Sequence, residues 1–134
     1  MDEKLRALRA IHAAFLFACL IYVAIGEFAG PKEPRNVKLL LMVFGFVAVT
    51  GLGIAMFLRE RLVGAAEDVL RRSPEGAEAL QRWMSGHMVA LAMCEAVGIF
   101  GLVLRTLGGT LIQVLPFYGA CVLLMLMWMP RRPE

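Results

Sequence analysis

Glu95 is the one charged residue in MVALAMCEAVGIFGLVL, residues 88–104. A carboxyl group in such company can do three things: act as a permanently neutral hydrogen-bonding group, carry a proton or cation, or bind a ligand. Hydrocarbon strongly disfavours the ionised form, so without a cationic partner at its depth the neutral acid is expected to dominate near pH 7. Counted from the nearer membrane boundary, Glu95 lies about nine residues in, or about 13 Å at 1.5 Å per residue. Tyr22, Thr50 and Tyr118 fall at nearly the same level of their own segments. One carboxyl and three hydroxyls could therefore converge as a belt near the midplane, forming a proton or ion site of Glu95, Tyr22, Thr50 and Tyr118. Ala92 and Gly98, three residues either side of Glu95, share its helix face and are small enough to admit a neighbouring helix.

The stretch CEAVGIFGLVL, residues 94–104, resembles the carboxylate helix of the rotary ATPase proteolipid subunits of c or K type. In that family a membrane Glu opens a pattern of the form EA-x-x-I-[YF]-G-L-V. The resemblance implies that Glu95 is an ion-carrying carboxylate. It is confined to this segment: no glycine-repeat helix precedes it, and the family's short polar Arg-[Gln/Asn]-Pro loop has no counterpart.

Other residues invite chemistry of their own. Glu27 and Arg105 stand near the same ends of their segments, where pairing would relieve both charges; alternatively each reaches water separately. His12 and His87 lie at the same boundary of two segments running the same way, the arrangement that a bis-histidine haem would need. The plainer alternative is two interfacial imidazoles in contact with water. Cys19 and Cys94 follow their histidines by seven residues, about 10 Å along a helix, too far to share one ion. No cofactor or metal is therefore assigned. With Cys121, the cysteines show no metal or disulfide framework and read as buried free thiols. MLMWM, residues 125–129, alternates by two and scatters its sulfurs around a helix. Ser85 and Gly86 read as helix-contact residues. There is no phosphate loop, nucleophile elbow or carboxylate pair, and nothing points to an enzyme of the soluble type.

The elements that must position these residues follow from composition. Of 134 residues, 60% are hydrophobic, against about 45–50% in a soluble domain. A chain this short cannot hide that much apolar surface in one core, and lipid resolves the conflict. The apolar residues gather in four stretches, 11–29, 37–58, 84–107 and 110–129. Each suits the roughly 20 residues that a membrane-crossing helix requires. Barrel strands would alternate over about 10 residues, and no such alternation occurs. The first stretch, preceded by DEKLRALRA, could pass for a signal peptide, but the apolar run before Cys19 is short, and an uncleaved span is expected.

Ten basic residues fall on the side of the termini and the 59–83 segment, and four (Lys32, Arg35, Lys38 and Arg105) fall on the other. The positive-inside rule then puts both termini in the cytoplasm. The surplus suits an anionic inner leaflet and requires no nucleic acid. Pro31 and Pro34 in GPKEP predict one tight outer turn, and Gly108–Gly109 a tighter one. Between the second and third spans, Glu67/Arg71, Asp68/Arg72 and Glu78/Arg82 are spaced as i,i+4 pairs. Ser73 as N-cap and Pro74 after it predict the next helix start. Trp83 is expected at the membrane boundary. A shift of 75 residues superposes Leu5, His12, Leu16 and Cys19 on Leu80, His87, Leu91 and Cys94, as two repeated hairpins would.

The expected architecture is all-α: an integral membrane four-helix bundle of two transmembrane hairpins, with a cytoplasmic helical extension between helices two and three. The expected setting is a bacterial inner membrane, with the lipid bilayer, other membrane subunits or further copies of the chain as partners. The functional expectation is a proton- or cation-handling or accessory subunit with Glu95 protonatable. The alternatives are a non-catalytic scaffold with Glu95 permanently protonated, and a haem-binding membrane protein.

Overall fold

The computed structural model describes residues 2–29 and 33–132. Its elements are α1 (Asp2–Ala29), α2 (Lys38–Arg59), α3 (Ala65–Arg72), α4 (Ala77–Thr106) and α5 (Leu111–Met127). A π-helical turn, Glu60–Gly64, welds α2 and α3 into one continuous rod. No strand occurs among the described residues.

Three of the four rods (α1, α2–α3 and α4) are long and apolar enough to cross a membrane. The fourth, α5, is as apolar but has 17 helical residues, about 25 Å at 1.5 Å per residue. It is shorter than the expected 110–129 because Thr110 is spent on capping. Its hydroxyl accepts from the Gln113 backbone N–H at 3.3 Å, and the Gln113 side chain accepts from the Thr110 N–H at 3.0 Å.

Burial identifies α4 as the hub. Eleven of its 30 residues are buried, whereas α2 buries only Ala48 and Ala55 of 22. The apolar residues of α4 run round its whole circumference, so every side can accept a neighbour. It packs against α1, α2, α3, the π turn and α5. The α2–α3 rod and α5, the neighbours of α4 in sequence, both pack along it; α1 and α2 lean on α4 rather than on each other. Helices α1 and α4 run parallel, in contact from Leu8 and Trp83 at one end to Glu27 and Arg105 at the other.

The helical extension is not a bare hairpin. Asp2 starts α1 early enough for Leu5 and Leu8 to cover Val63, Leu70 and Trp83. Trp83 is accordingly fully buried among protein side chains. Gly86 is also buried, against Leu62 and Val63, while Ser85 is exposed. Helix α4 starts later than expected, at Ala77, and Ser73 does not cap it. Ser73 instead ends α3 and accepts the Gly76 N–H at 3.1 Å, closing a turn over Pro74 and Glu75. Of the expected charge pairs, Glu78–Arg82 forms at 2.6 Å, while Asp68 pairs with Arg71 at 3.9 Å in place of Glu67/Arg71 and Asp68/Arg72. Of the outer GPKEP turn, Gly30, Pro31 and Lys32 lie outside the described residues.

The end of the α1–α2 linker meets the α4–α5 turn at Gly108. Its φ of 109° reverses the chain after α4, the Gly108 N–H donates to the Arg105 carbonyl, and the Gly109 N–H donates to the Leu104 carbonyl at 2.8 Å. The Arg35 N–H then donates to the Gly108 carbonyl at 2.9 Å, tying the α1–α2 linker to the α4–α5 turn. A Cβ at Gly108 would lie 2.6 Å from that of Arg35. Gly108→Ala is therefore expected to cost about 1–3 kcal/mol in a reversible detergent-denaturation titration. Gly53→Ala, at a helical glycine with open space around it, should be neutral or slightly stabilising in the same titration.

Candidate functional site

The parallel register of α1 and α4 brings Tyr22 to Glu95. The Tyr22 hydroxyl donates to Glu95 Oε1 at 2.6 Å, across 73 residues of sequence. Both side chains are half-buried, at a seam that opens outward. One turn on from each, Ile25 and Ile99 are 44% and 40% exposed, so the seam opens onto an apolar face. Among the described residues, no cation lies within ion-pair distance of Glu95, and its only side-chain hydrogen bond is the one from Tyr22. The site is thus an acid held by one hydroxyl donor, its other oxygen unengaged.

The other two members of the expected belt stand elsewhere. Helix α2 meets α4 through Ala48, Gly51 and Ala55, with Gly51 against Met93, which leaves Thr50 exposed on the far side. Tyr118 is buried on α5 beside Gly26 and Gly101, its hydroxyl without a partner among the described residues. The structure therefore joins Tyr22 and Glu95 and separates them from Thr50 and Tyr118.

Glu27 and Arg105 come together one level further out. Arg105 Nε donates to Glu27 Oε1 at 3.1 Å and Nη2 to Oε2 at 3.4 Å, a two-pronged geometry open only to a guanidinium. Arg105 Nη1 also donates to the Gly109 carbonyl at 2.8 Å, so one side chain clamps α1, α4 and the turn before α5.

The cysteines differ from their expected state. Cys19 and Cys121 are joined as a disulfide, and only Cys94 is a free buried thiol. The reason lies at Gly98, where α1 and α5 close over α4. A side chain there would meet the Cys121 and Cys19 sulfurs at 3.0 and 3.4 Å. The small residue next to Glu95 thus admits a sulfur bridge, while Ala92 on the other side remains exposed.

His12 and His87 are both buried, at 2% and 3% exposure, and not in the open contact with water that is the plainer expectation. His87 stands edge-on to Trp83, with ring centroids 4.9 Å apart. Neither nitrogen of His12, nor Nε2 of His87, has a partner among the described residues. Among those residues, no group of three or more His, Cys, Asp or Glu is placed to hold a metal ion. In MLMWM, Met125 is buried and Met127 is 71% exposed, scattered as its spacing implies.

Sequence reasoning passed over Arg59. It ends the apolar run of α2, lies half-buried over the Trp128 ring at 5.4 Å, and buries its Nε without a partner. Its signal was position: an arginine directly continuing an apolar helix must fold back along protein or reach water.

No protein-family description, curated protein or solved structure matches the chain.

The clamp should show energetic coupling. A double-mutant cycle with Glu27→Gln and Arg105→Lys is expected to give an interaction of about 1 kcal/mol in detergent denaturation. Arg105→Lys alone should lose stability, since an ammonium cannot hold both carboxylate oxygens and the Gly109 carbonyl at once.

Proposed function

We propose that the chain is an integral protein of a bacterial inner membrane, with four spans and both termini in the cytoplasm, that handles protons or cations through Glu95, alone or as a subunit of a larger membrane assembly. The observation that carries the reading is the Tyr22–Glu95 hydrogen bond at a seam open to an apolar face. A carboxyl group there has one donor that can hold either protonation form, since the carbonyl oxygen of the neutral acid accepts as the ionised oxygen does. No fixed cation neutralises it among the described residues, so a proton or a mobile cation is the charge partner left to it. The unengaged oxygen is where such a partner would bind. The resemblance of residues 94–104 to the proteolipid carboxylate helix points the same way, and it would make a second subunit the natural neighbour of the seam.

Membrane placement is supported by three long apolar rods, and by the exposure of Leu39, Phe46 and Val49 at 74–75% on α2. The start of α1 and residues 130–132 lie at one end of the helical body, where Arg9 Nε donates to the Pro130 carbonyl at 3.1 Å and Arg132 stands 3.6 Å from Asp2. That end also carries the basic surplus.

The scaffold alternative keeps the same hydrogen bond with the proton never leaving. Glu95→Gln separates the two. The amide carbonyl still accepts from Tyr22, so stability is expected to change by less than about 0.5 kcal/mol. It cannot take up a proton, so proton or sodium flux in reconstituted liposomes should fall by about tenfold or more, the loss expected of a group that carries the ion. Tyr22→Phe, which removes only the donor, should reduce flux and leave some. Equal flux in wild type and Glu95→Gln would establish the scaffold.

A further inference from the structure

At the end of the molecule opposite the Glu27–Arg105 clamp, a cavity of about 440 Å³ opens between α2–α3, α4 and the segment after α5. That volume lies in the range of small-ligand sites, roughly 300–1,000 Å³. Its charge is one-sided: the guanidinium groups of Arg59, Arg71, Arg131 and Arg132 line it, against the single carboxylate of Glu67.

Two of its lining groups are orphaned. His87, 3% exposed, buries Nε2 without a partner, and Arg59 buries Nε likewise, among the described residues. Buried polar atoms left unpaired destabilise the fold, and a ligand with several acceptor oxygens would satisfy them. The remaining arginines are either free or weakly engaged. Arg71 stands 3.9 Å from Asp68 and Arg132 stands 3.6 Å from Asp2, all more than half exposed. They can turn to an anion without breaking the packing.

The same mouth is apolar on one side. Met127 and Met129, 71% and 44% exposed, line it where α5 ends. A basic pocket with a greasy lip, at the level where the apolar runs of α2 and α5 stop, matches an anion tethered to hydrocarbon better than a free one.

We infer that this cavity binds the phosphate head group of an anionic phospholipid, with Arg59, His87, Arg131 and Arg132 around the phosphate oxygens and Met127 and Met129 along the acyl chain. The inference rests on the membrane reading but not on any role of Glu95. It makes the basic end a specific lipid contact and not only a diffuse electrostatic one.

The test is native mass spectrometry of the purified full chain released from detergent, titrated with phosphatidylglycerol or phosphatidylcholine. Wild type is expected to retain phosphatidylglycerol about tenfold more than phosphatidylcholine. Arg131→Gln/Arg132→Gln, in the non-helical segment, should lose roughly fivefold per arginine removed. Arg59→Gln should weaken retention further. Arg61→Gln, at the same end but outside the cavity, and Glu95→Gln should both match wild type. A circular dichroism spectrum checks that each variant is folded.

Equal retention of the two lipids, or the same loss from Arg61→Gln as from the tail variant, overturns the inference and leaves the Glu95 reading standing. Millimolar inorganic phosphate that displaces the lipid, and binds as well by itself, would make the occupant a free anion and overturn the lipid assignment. A chain that stays soluble without detergent overturns both readings.

Discussion

A carboxyl group in the apolar middle of a helix must find a hydrogen-bond donor, and Glu95 finds it in Tyr22 at 2.6 Å. That contact constrains the molecule more than any other. It fixes the relative height of the parallel helices α1 and α4, with Glu27 beside Arg105 at one end and Leu8 beside Trp83 at the other. With α1 so placed, Cys19 reaches Cys121 over Gly98, and α5 is held on the other flank of α4. The polar contacts are few, but each bridges segments far apart in sequence. In apolar surroundings such contacts carry much of the specificity, because greasy surfaces pack in many ways and hydrogen bonds in few.

The division of labour among the helices follows from burial. Helix α4 is the most enclosed of the rods, while α2 is held by a narrow strip of small residues and turns most of its side chains outward. Helices that pack mainly on one hub leave seams between them. One seam holds the acid and its tyrosine. At the opposite end, the rods part around a cavity ringed with guanidinium groups. The apolar flanks and the basic end are then two faces of one arrangement, the first suited to hydrocarbon and the second to an anionic boundary.

Much of this was legible in the sequence, and the rest was hidden for identifiable reasons. Long apolar runs announced helices because runs of that length have few other uses, and Glu95 stood out because it was alone. Tyr22 could be named as its neighbour because depth along parallel helices is readable from residue counts. Thr50 and Tyr118 had the right depth as well, but depth says nothing about azimuth, and the strip Ala48–Gly51–Ala55 turns Thr50 away. Trp83 has the residue type of a boundary anchor, yet the first turns of α1 cover it, a tertiary effect that no local pattern carries. Ser73 and Pro74 have the residue types of a helix start, but the backbone hydrogen bond from Gly76 to Ser73 makes them a turn instead. The pairing of Cys19 with Cys121 depends on how α5 crosses α4, and spacing along the chain does not encode that.

The most direct test is chemical. A hydrophobic carbodiimide attacks a carboxyl group only when that group is protonated and set in apolar surroundings, and it leaves a stable adduct. The full chain in bilayers at about pH 7, treated with dicyclohexylcarbodiimide and mapped by peptide mass spectrometry, should carry one adduct, on Glu95, absent from Glu95→Gln. Failure to modify Glu95, together with ready labelling of it by a water-soluble carbodiimide, would show a side chain open to bulk water and contradict the account.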